Sequence, residues 1–363
     1  KPVYSKNFGC DRGRGPANAY HKTGRTMHSE PPRPDHDAFP GLTPPLILDL
    51  AEAALGVRCT NLCRPYNSYI NRVYELADRD GRGLVIKFYR PGRWSRAGVQ
   101  DEHDFLLELA AEEIPVIAPL RLRDGSTLGA HGRLLFALYE KKGGRYPDEF
   151  TDDQWLAMGR LLGRLHQVGA RRQPHDRPRL HPQASTRAHL DFLRASGLLP
   201  ADLAPAYEQV TAAIVDEITP LFARTESIRI HGDCHRGNII DRPGESLHLI
   251  DFDDMAVGAP VQDFWMLLPG TLADAAVEAD LLIEGYETFR PFDRTSLRLI
   301  EPLRAMRYVH YSAWCARQVV EDGASPVIPD FGSRTYWQTE TRELADQLER
   351  IREGAQPFGN LLF

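Results

Sequence analysis

Apolar residues run through this chain at two spacings. Behind Thr43, the residues Leu46, Leu50, Ala54 and Leu55 recur at helical spacing, which predicts a capped helix. Leu84, Ile86 and Phe88 alternate instead, predicting a buried strand over residues 84–89 with Lys87 on the other face beside Val85. Helical spacing returns across residues 95–113, where Val99, Glu102, Leu106 and Leu109 share one stripe and Asp101, Asp104 and Glu108 fall off it. Residues 115–120 and 134–139, with the turn Asp124-Gly125 between them, are expected to complete a small antiparallel sheet.

The second half is mostly helical in pattern. Thr151-Asp152-Asp153-Gln154 is a capping box, followed by Trp155, Met158, Leu162 and Leu165 on one side of a helix ending at Gly169. Further helices are expected over residues 186–195 and 203–224, and around the stripes Leu281, Ile283, Tyr286, Phe289 and Leu303, Met306, Tyr308, Val309. Between them residues 228–253 read as β-structure. Ile228 and Ile230 enter a polar loop over residues 231–238, Ile239-Ile240 follow, and Asp241-Arg242-Pro243-Gly244 turns the chain. Leu247, Leu249 and Ile250 then lead to Asp251-Phe252-Asp253. The fold class is therefore α+β in two lobes: a small antiparallel sheet plus one helix over residues 41–140, a hinge at 141–145, and a mainly helical lobe over 146–350. Residues 1–40, rich in Gly, Pro, Arg and His, are expected to lie outside the fold as a disordered tail or a misassigned start.

Charged residues in apolar settings supply the candidate chemistry. Lys87 interrupts a strand and Glu102 an apolar helix stripe, so each accounts for the other as an ion pair; the alternative is that both reach solvent at element ends. Asp233, Asn238 and Asp251 converge at one end of the β-structure. Asp-x-x-x-x-Asn followed by Asp-Phe is the spacing of a kinase catalytic loop and metal site, where one carboxylate accepts a hydroxyl proton and oxygen ligands hold Mg²⁺ on ATP. A plain hairpin with aspartates in its turns is the competing reading. Where a glycine-rich loop would cover the phosphates, residues 65–74 lack glycine, and Asn67 and Ser68 offer backbone N–H groups and a hydroxyl instead. Adenine would be read by backbone near Tyr139–Lys141.

His231-Gly232-Asp233-x-His235-x-x-Asn238 with Ile250-Asp251-Phe252-Asp253 resembles the aminoglycoside phosphotransferase and choline kinase branch of the protein-kinase-like fold. Within it, Asn67-Ser68-Tyr69-x-Asn71-Arg72-Val73-Tyr74, Lys87-Phe88-Tyr89-Arg90-Pro91-x-Arg93-Trp94, Gln262-Asp263-x-Trp265-Met266-Leu267-Leu268 and residues 300–307 are similar to the bacterial stress response kinases. The similarity runs from about residue 39 to 347. It implies Asp233 as proton acceptor, Asn238 and Asp251 as Mg²⁺ ligands, Ser68 in contact with ATP, and Lys87 with Glu102 as the pair that orients phosphates. His235 stands where protein kinases carry a catalytic-loop lysine. The acceptor implied is a protein Ser/Thr hydroxyl, with autophosphorylation included. Ile-Asp-Phe-Asp replaces the usual Val-Asp-Leu-Asp, an apolar swap that keeps both aspartates. Two alternatives stay open. One is a kinase of aminoglycosides, choline-like compounds or amino alcohols, with Asp253 and Asp254 attracting a cation; the other is a pseudokinase that only binds nucleotide.

Net charge of −6 without a basic stripe argues against a nucleic-acid partner. No apolar run approaches the roughly 20 residues of a membrane span and no secretory signal is visible, so a cytoplasmic protein is expected. Cys10, Cys59, Cys63, Cys234 and Cys315 are odd in number and lack C-x-x-C, which fits free thiols; Cys234, beside the candidate base, is a speculative oxidation point. His166 reads as structural, Asp263 as a helix cap, and Arg304 and Arg307 as a solvated or ion-paired face. The short link after Asp251 leaves no room for a regulated activation segment.

Overall fold

A computed structural model describes residues 38–354, apart from Tyr69 and Pro243. Residues 1–37, and with them most of the expected tail, lie outside that range. The tail as bounded at residue 40 is too long: Phe39 is buried in the first lobe, with Arg72 stacked over its ring at 4.9 Å.

The first lobe opens with α1 (Pro44–Leu55), whose N-cap Thr43 accepts the Leu46 N–H. A five-stranded antiparallel sheet follows in the order β1-β2-β3-β5-β4. Its strands are β1 (Cys59–Pro65), β2 (Arg72–Asp78), β3 (Gly83–Tyr89), β4 (Gly129–His131) and β5 (Leu134–Glu140), with α2 (Arg96–Ala111) inserted after β3. Leu84, Ile86 and Phe88 pack one face of the sheet against Ile47 and Ala51 of α1. The opposite face, carrying Lys87 and Tyr89, looks toward Val99 of α2. Residues 115–120 do not form the expected strand. Pro115 and Pro119 have no N–H for a ladder, and the segment makes only isolated bridges, Val116 with Leu249 and Pro119 with Tyr139. The edge strand beside β5 is β4 instead.

After the link 141–151, α3 (Asp152–Gly169) begins at the anticipated Thr151–Gln154 capping box. It packs tightly on α7 (Ala276–Glu287), because a Cβ on Gly159 would stand 2.1 Å from the Leu282 carbonyl oxygen. The other helices of this lobe are α4 (Arg187–Ala195), α5 (Ala204–Phe222), α6 (Gln262–Trp265), α8 (Ile300–Asp322) and α9 (Arg334–Gly354). Two small antiparallel pairs sit among them: β6 (Ile228–Ile230) with β9 (Ala256–Gly258), and β7 (Ile239–Asp241) with β8 (Leu247–Leu249). Their register brings loop 231–238 beside the turn 250–255, since the Ile250 N–H donates to the Asn238 carbonyl. Among the described residues no helix is long and apolar enough to cross a membrane.

Candidate active site

Loop 231–238 is held from below by one carboxylate. Asp263 accepts the backbone N–H groups of His231 and Gly232, each at 2.8 Å, and the Nε2–H of His166 at 3.0 Å. The expectation that Asp263 is merely a helix cap is therefore corrected: α6 has no side-chain cap, and the carboxylate serves the loop. His166 is a structural residue, buried between Asp263 and Tyr286. Gly232 has φ +83°, and a Cβ there would meet the Asp254 carbonyl oxygen at 2.3 Å, so the loop and the following turn touch through glycine.

Above that anchor, Asp233 is buried and its carboxylate is partnered on both oxygens. Arg307 of α8 donates to Oδ1 at 2.7 Å, while His235 Nε2 lies 3.5 Å and Asn238 Nδ2 3.4 Å from Oδ2. Burial favours the protonated acid, but Arg307 together with His235 and His231 outweighs it and holds Asp233 well below the usual carboxylate range. Asn238 also donates Nδ2 to the Asp233 carbonyl at 3.0 Å, which leaves its Oδ1 as the oxygen available to a cation. The His235 ring is oriented by the Gly237 N–H on Nδ1, so Nε2 is the nitrogen that faces Asp233. Cys234 is fully buried, and burial pushes its thiol well above the ordinary value, which makes it a poor target for oxidants.

Across the cleft, Lys87 Nζ sits among three carboxylates: Asp253 at 3.1 Å, Asp251 at 3.4 Å and Glu102 at 3.7 Å. Desolvation alone would lower its pKa, yet the carboxylates outweigh burial and hold the ammonium charged. The anticipated Lys87–Glu102 pair is thus present, although Asp253 is the nearer partner. Asp251 has a left-handed backbone, φ 60° and ψ 67°, and its side chain is 55% exposed while that of Asp253 is 7% exposed. Of the two aspartates, Asp251 is the one that reaches the open cleft.

Several residues that periodicity and spacing missed complete the network. Arg177, from the loop after α3, donates to Glu102 at 2.7 Å, the Asp253 carbonyl at 2.7 Å and the Gly98 carbonyl at 2.8 Å, and lies over the Trp94 ring. Arg93 binds Asp253 and Asp254, each at 2.7 Å. Asn71 joins by donating to Asp253 at 3.2 Å. Asp101, read from its helical position as off the buried stripe, is buried against the same loop and accepts the N–H groups of His175 and Asp176. Only Arg93 and Asn71 had a local signal, since both fall inside the stretches that carry the family similarity.

The proposed nucleotide contacts are placed less uniformly. Tyr139 lies near Glu102 and Lys87, and its hydroxyl meets the Tyr89 hydroxyl at 2.9 Å. Lys141 is turned away: its Nζ pairs with Glu75 at 2.5 Å, and its N–H is taken by the Gly83 carbonyl at 3.0 Å. Lys141 therefore has no free backbone donor for adenine. Ser68 is half-buried in the link between β1 and β2. Arg307, expected on a solvated or ion-paired face, is ion-paired with Asp233 itself, whereas Arg304 is buried over Trp265.

Residues 63–300 match the model of the phosphotransferase enzyme family. The chain belongs to this family. As a phosphotransferase it is 38% identical over 317 residues to stress response kinase A of Salmonella typhi, covering 87% of this chain and 95% of the relative. The serine/threonine protein kinase RdoA of Salmonella typhimurium aligns at the same identity and coverage, and stress response kinase A of Escherichia coli K12 at 37% over 316 residues. Solved phosphotransferases share the fold at low identity. An amicoumacin kinase in complex with AMP-PNP, Ca²⁺ and Ami superposes with TM-score 0.68 at 19% identity, over 88% of this chain and 95% of that one. The choline kinase LicA of Streptococcus pneumoniae does so with TM-score 0.61 at 15% identity, over 84% and 98%. The two-lobed mixed fold and the kinase activity class read from the sequence both stand, and the chain is a kinase.

Proposed function

We propose that the chain is an ATP- and Mg²⁺-dependent kinase that transfers the γ-phosphoryl group to a serine or threonine hydroxyl of a protein, with Asp233 as the base. The observation that carries this is the facing pair of charge clusters: a lysine set among Asp251, Asp253 and Glu102 on one side, and Asp233 with Asn238 and His235 on the other. A relative named as a serine/threonine protein kinase supports the acceptor class.

The donors suit Mg²⁺. Asp251 and Asn238 Oδ1 are hard oxygen ligands, and Mg²⁺ in kinases takes one or two protein oxygens and fills the rest of its octahedron from phosphates and water. That matches the absence, among the described residues, of any cluster of three His, Cys, Asp or Glu side chains able to cage an ion. When bound, the ion would neutralise charge on the phosphates. Lys87, fixed by Glu102 and Asp253, directs one ammonium toward the phosphate side, and Ser68 is the candidate for a further nucleotide contact. His235 Nε2 lies near enough to Asp233 to touch the transferring group or its water. Asp233 takes the acceptor proton as the oxygen attacks phosphorus, and most of the rate gain comes from positioning and fixed charge. Cys59, Cys63 and Cys234 carry thiols rather than disulfides, which supports a reducing, cytoplasmic setting.

The test is phosphate transfer from γ-labelled ATP with Mg²⁺ to protein, with phosphoamino-acid analysis of the product. Label on serine or threonine that is absent from the Asp233→Asn protein is the expected result. Label only on a small amine-bearing alcohol would overturn the protein acceptor and keep the site. Nucleotide binding with no transfer to anything would make the chain a pseudokinase.

A further inference from the structure

A line of polar contacts leaves Asp263 on the side away from loop 231–238 and ends at the surface. His166 of α3 donates from Nε2 to Asp263 at 3.0 Å, and its Nδ1 lies 3.2 Å from the hydroxyl of Tyr286 on α7. Arg290, one turn further along the chain, donates to that hydroxyl at 3.1 Å and to Glu226 at 2.5 Å. His166 and Tyr286 are fully buried, Arg290 is mostly covered and Glu226 is half exposed. Tyr286, Arg290 and Glu226 border a cavity of about 230 Å³ that none of Lys87, Asp233 or Asp251 lines. The outer residues therefore act on the reaction, if at all, through other groups.

These contacts can be wired in one direction only. A guanidinium donates and never accepts, so Arg290 takes a lone pair of the Tyr286 oxygen. Burial pushes the Tyr286 phenol up to about 12, so it keeps its proton. Among the described residues its remaining polar partner is His166 Nδ1, which must then be bare. The imidazole is thus the neutral tautomer with its proton on Nε2, the nitrogen that donates to Asp263. The geometry is tight. A Cβ on Gly163 would stand 2.7 Å from the Tyr286 carbonyl oxygen, and one on Gly285 2.1 Å from that of Leu156, so α3 and α7 touch through glycine. Phe264 and Phe292 flank the Tyr286 ring, with centroids at 5.1 and 5.6 Å.

Without the hydroxyl, or without Arg290 to aim it, a buried Nδ1 loses its donor. Moving the ring proton to Nδ1 would turn a bare Nε2 toward the Asp263 carboxylate, and that carboxylate holds the N–H groups of His231 and Gly232. We propose that Tyr286 and Arg290 are positioning residues for phosphoryl transfer: they fix the tautomer of His166, His166 orients Asp263, and Asp263 holds the loop that carries Asp233. This rests on Asp233 being the base.

The experiment records heteronuclear NMR spectra of the histidine side chains in the full chain, with His166 assigned from His166→Gln, and the amide signals of His231 and Gly232. The same samples give kcat and KM for Mg²⁺-dependent ATP turnover in wild type, Tyr286→Phe, Arg290→Gln and Arg290→Lys. Expected in wild type is a proton on Nε2 of His166 and none on Nδ1. In Tyr286→Phe and Arg290→Gln that pattern should change, both amides should shift, and kcat should fall by roughly 10–100-fold with KM for ATP unchanged. Arg290→Lys, which still donates to the phenol, should keep the tautomer and most of kcat. A wild-type ring protonated on Nδ1 overturns the proposal. So does a loss of kcat with tautomer and amides unchanged, or an altered tautomer with full kcat, in both Tyr286→Phe and Arg290→Gln. Should Tyr286→Phe fail to fold, Arg290→Gln carries the same readouts from near the surface. A wild type that turns over no ATP overturns the kinase reading instead, and the relay then stands or falls on whether the two amides shift with the tautomer.

Discussion

His166 donates from Nε2 to Asp263 at 3.0 Å, in an interior where neither side chain meets solvent. The same carboxylate holds the His231 and Gly232 N–H groups, so a single buried anion joins α3, α6 and the candidate catalytic loop. Removing it strands two backbone donors and a histidine. Asp263→Ala should therefore lower stability by about 3–5 kcal/mol, read from urea unfolding, and should also reduce turnover by misplacing Asp233. A stability change under about 1 kcal/mol would show that the loop holds itself.

Asp233→Asn keeps the shape of the side chain and removes its basicity. Turnover should fall by roughly 10²–10⁴-fold, the usual contribution of a general base, with nucleotide affinity by calorimetry within about twofold of wild type. Retained turnover would take the role of base away from Asp233.

Asp251 is the half-exposed aspartate of the pair, turned to the cleft by its left-handed backbone. In Asp251→Ala, nucleotide affinity should no longer rise with added Mg²⁺, whereas in wild type it should. An unchanged Mg²⁺ response would place the cation elsewhere. The fold should survive, since the side chain is largely open to water.

Arg177 has a fully buried side chain, and it bridges Glu102, Gly98 and the Asp253 carbonyl. Arg177→Met leaves Glu102 with the weaker contacts to the Tyr89 hydroxyl at 3.4 Å and Lys87 at 3.7 Å. A loss of about 3–5 kcal/mol is expected for breaking such a buried pair, together with a raised KM for ATP as Lys87 loses its fixed position. A raised KM with unchanged stability would make Arg177 a nucleotide contact rather than a brace.

Acid should weaken the first lobe through His103. This ring is buried between the Tyr89 hydroxyl and Thr127, and burial, with Lys87 and Arg177 adding to it, lowers its pKa to about 3. The unfolded chain binds the proton near pH 6.5 and the folded chain does not. Stability is therefore complete above pH 6.5 and declines as pH falls toward 3, by on the order of 5 kcal/mol across that window. His103→Gln should flatten that part of a plot of unfolding free energy against pH. A curve of unchanged slope would assign the loss to other groups.

The candidate site was legible where its signal is local. Lys87 and Glu102 each break an apolar period within a single element, and Asp233, Asn238 and Asp251 follow one another across a short hairpin, so spacing alone brought them together. The strand expected over residues 115–120 failed for an equally local reason, since its two prolines withhold the donors that a ladder needs. At Lys141 the sequence is silent on donors, because a strand end looks the same whether its N–H is free or, as here, taken by Gly83.

By itself the sequence determined the two-lobed α+β plan, the spacing of loop 231–238 and the grouping of Lys87, Glu102, Asp233, Asn238 and Asp251. Those features come from periodicity and short-range spacing, which are properties of consecutive residues. Only the tertiary structure decided what each charge is paired with. Arg307 meets Asp233 across 74 residues of chain, Arg177 meets Glu102 across 75, and Arg93 meets Asp254 across 161. No pattern along the chain records such contacts, because they form only when helices and loops close around a common interior, where a low dielectric makes every buried charge find its counter-charge.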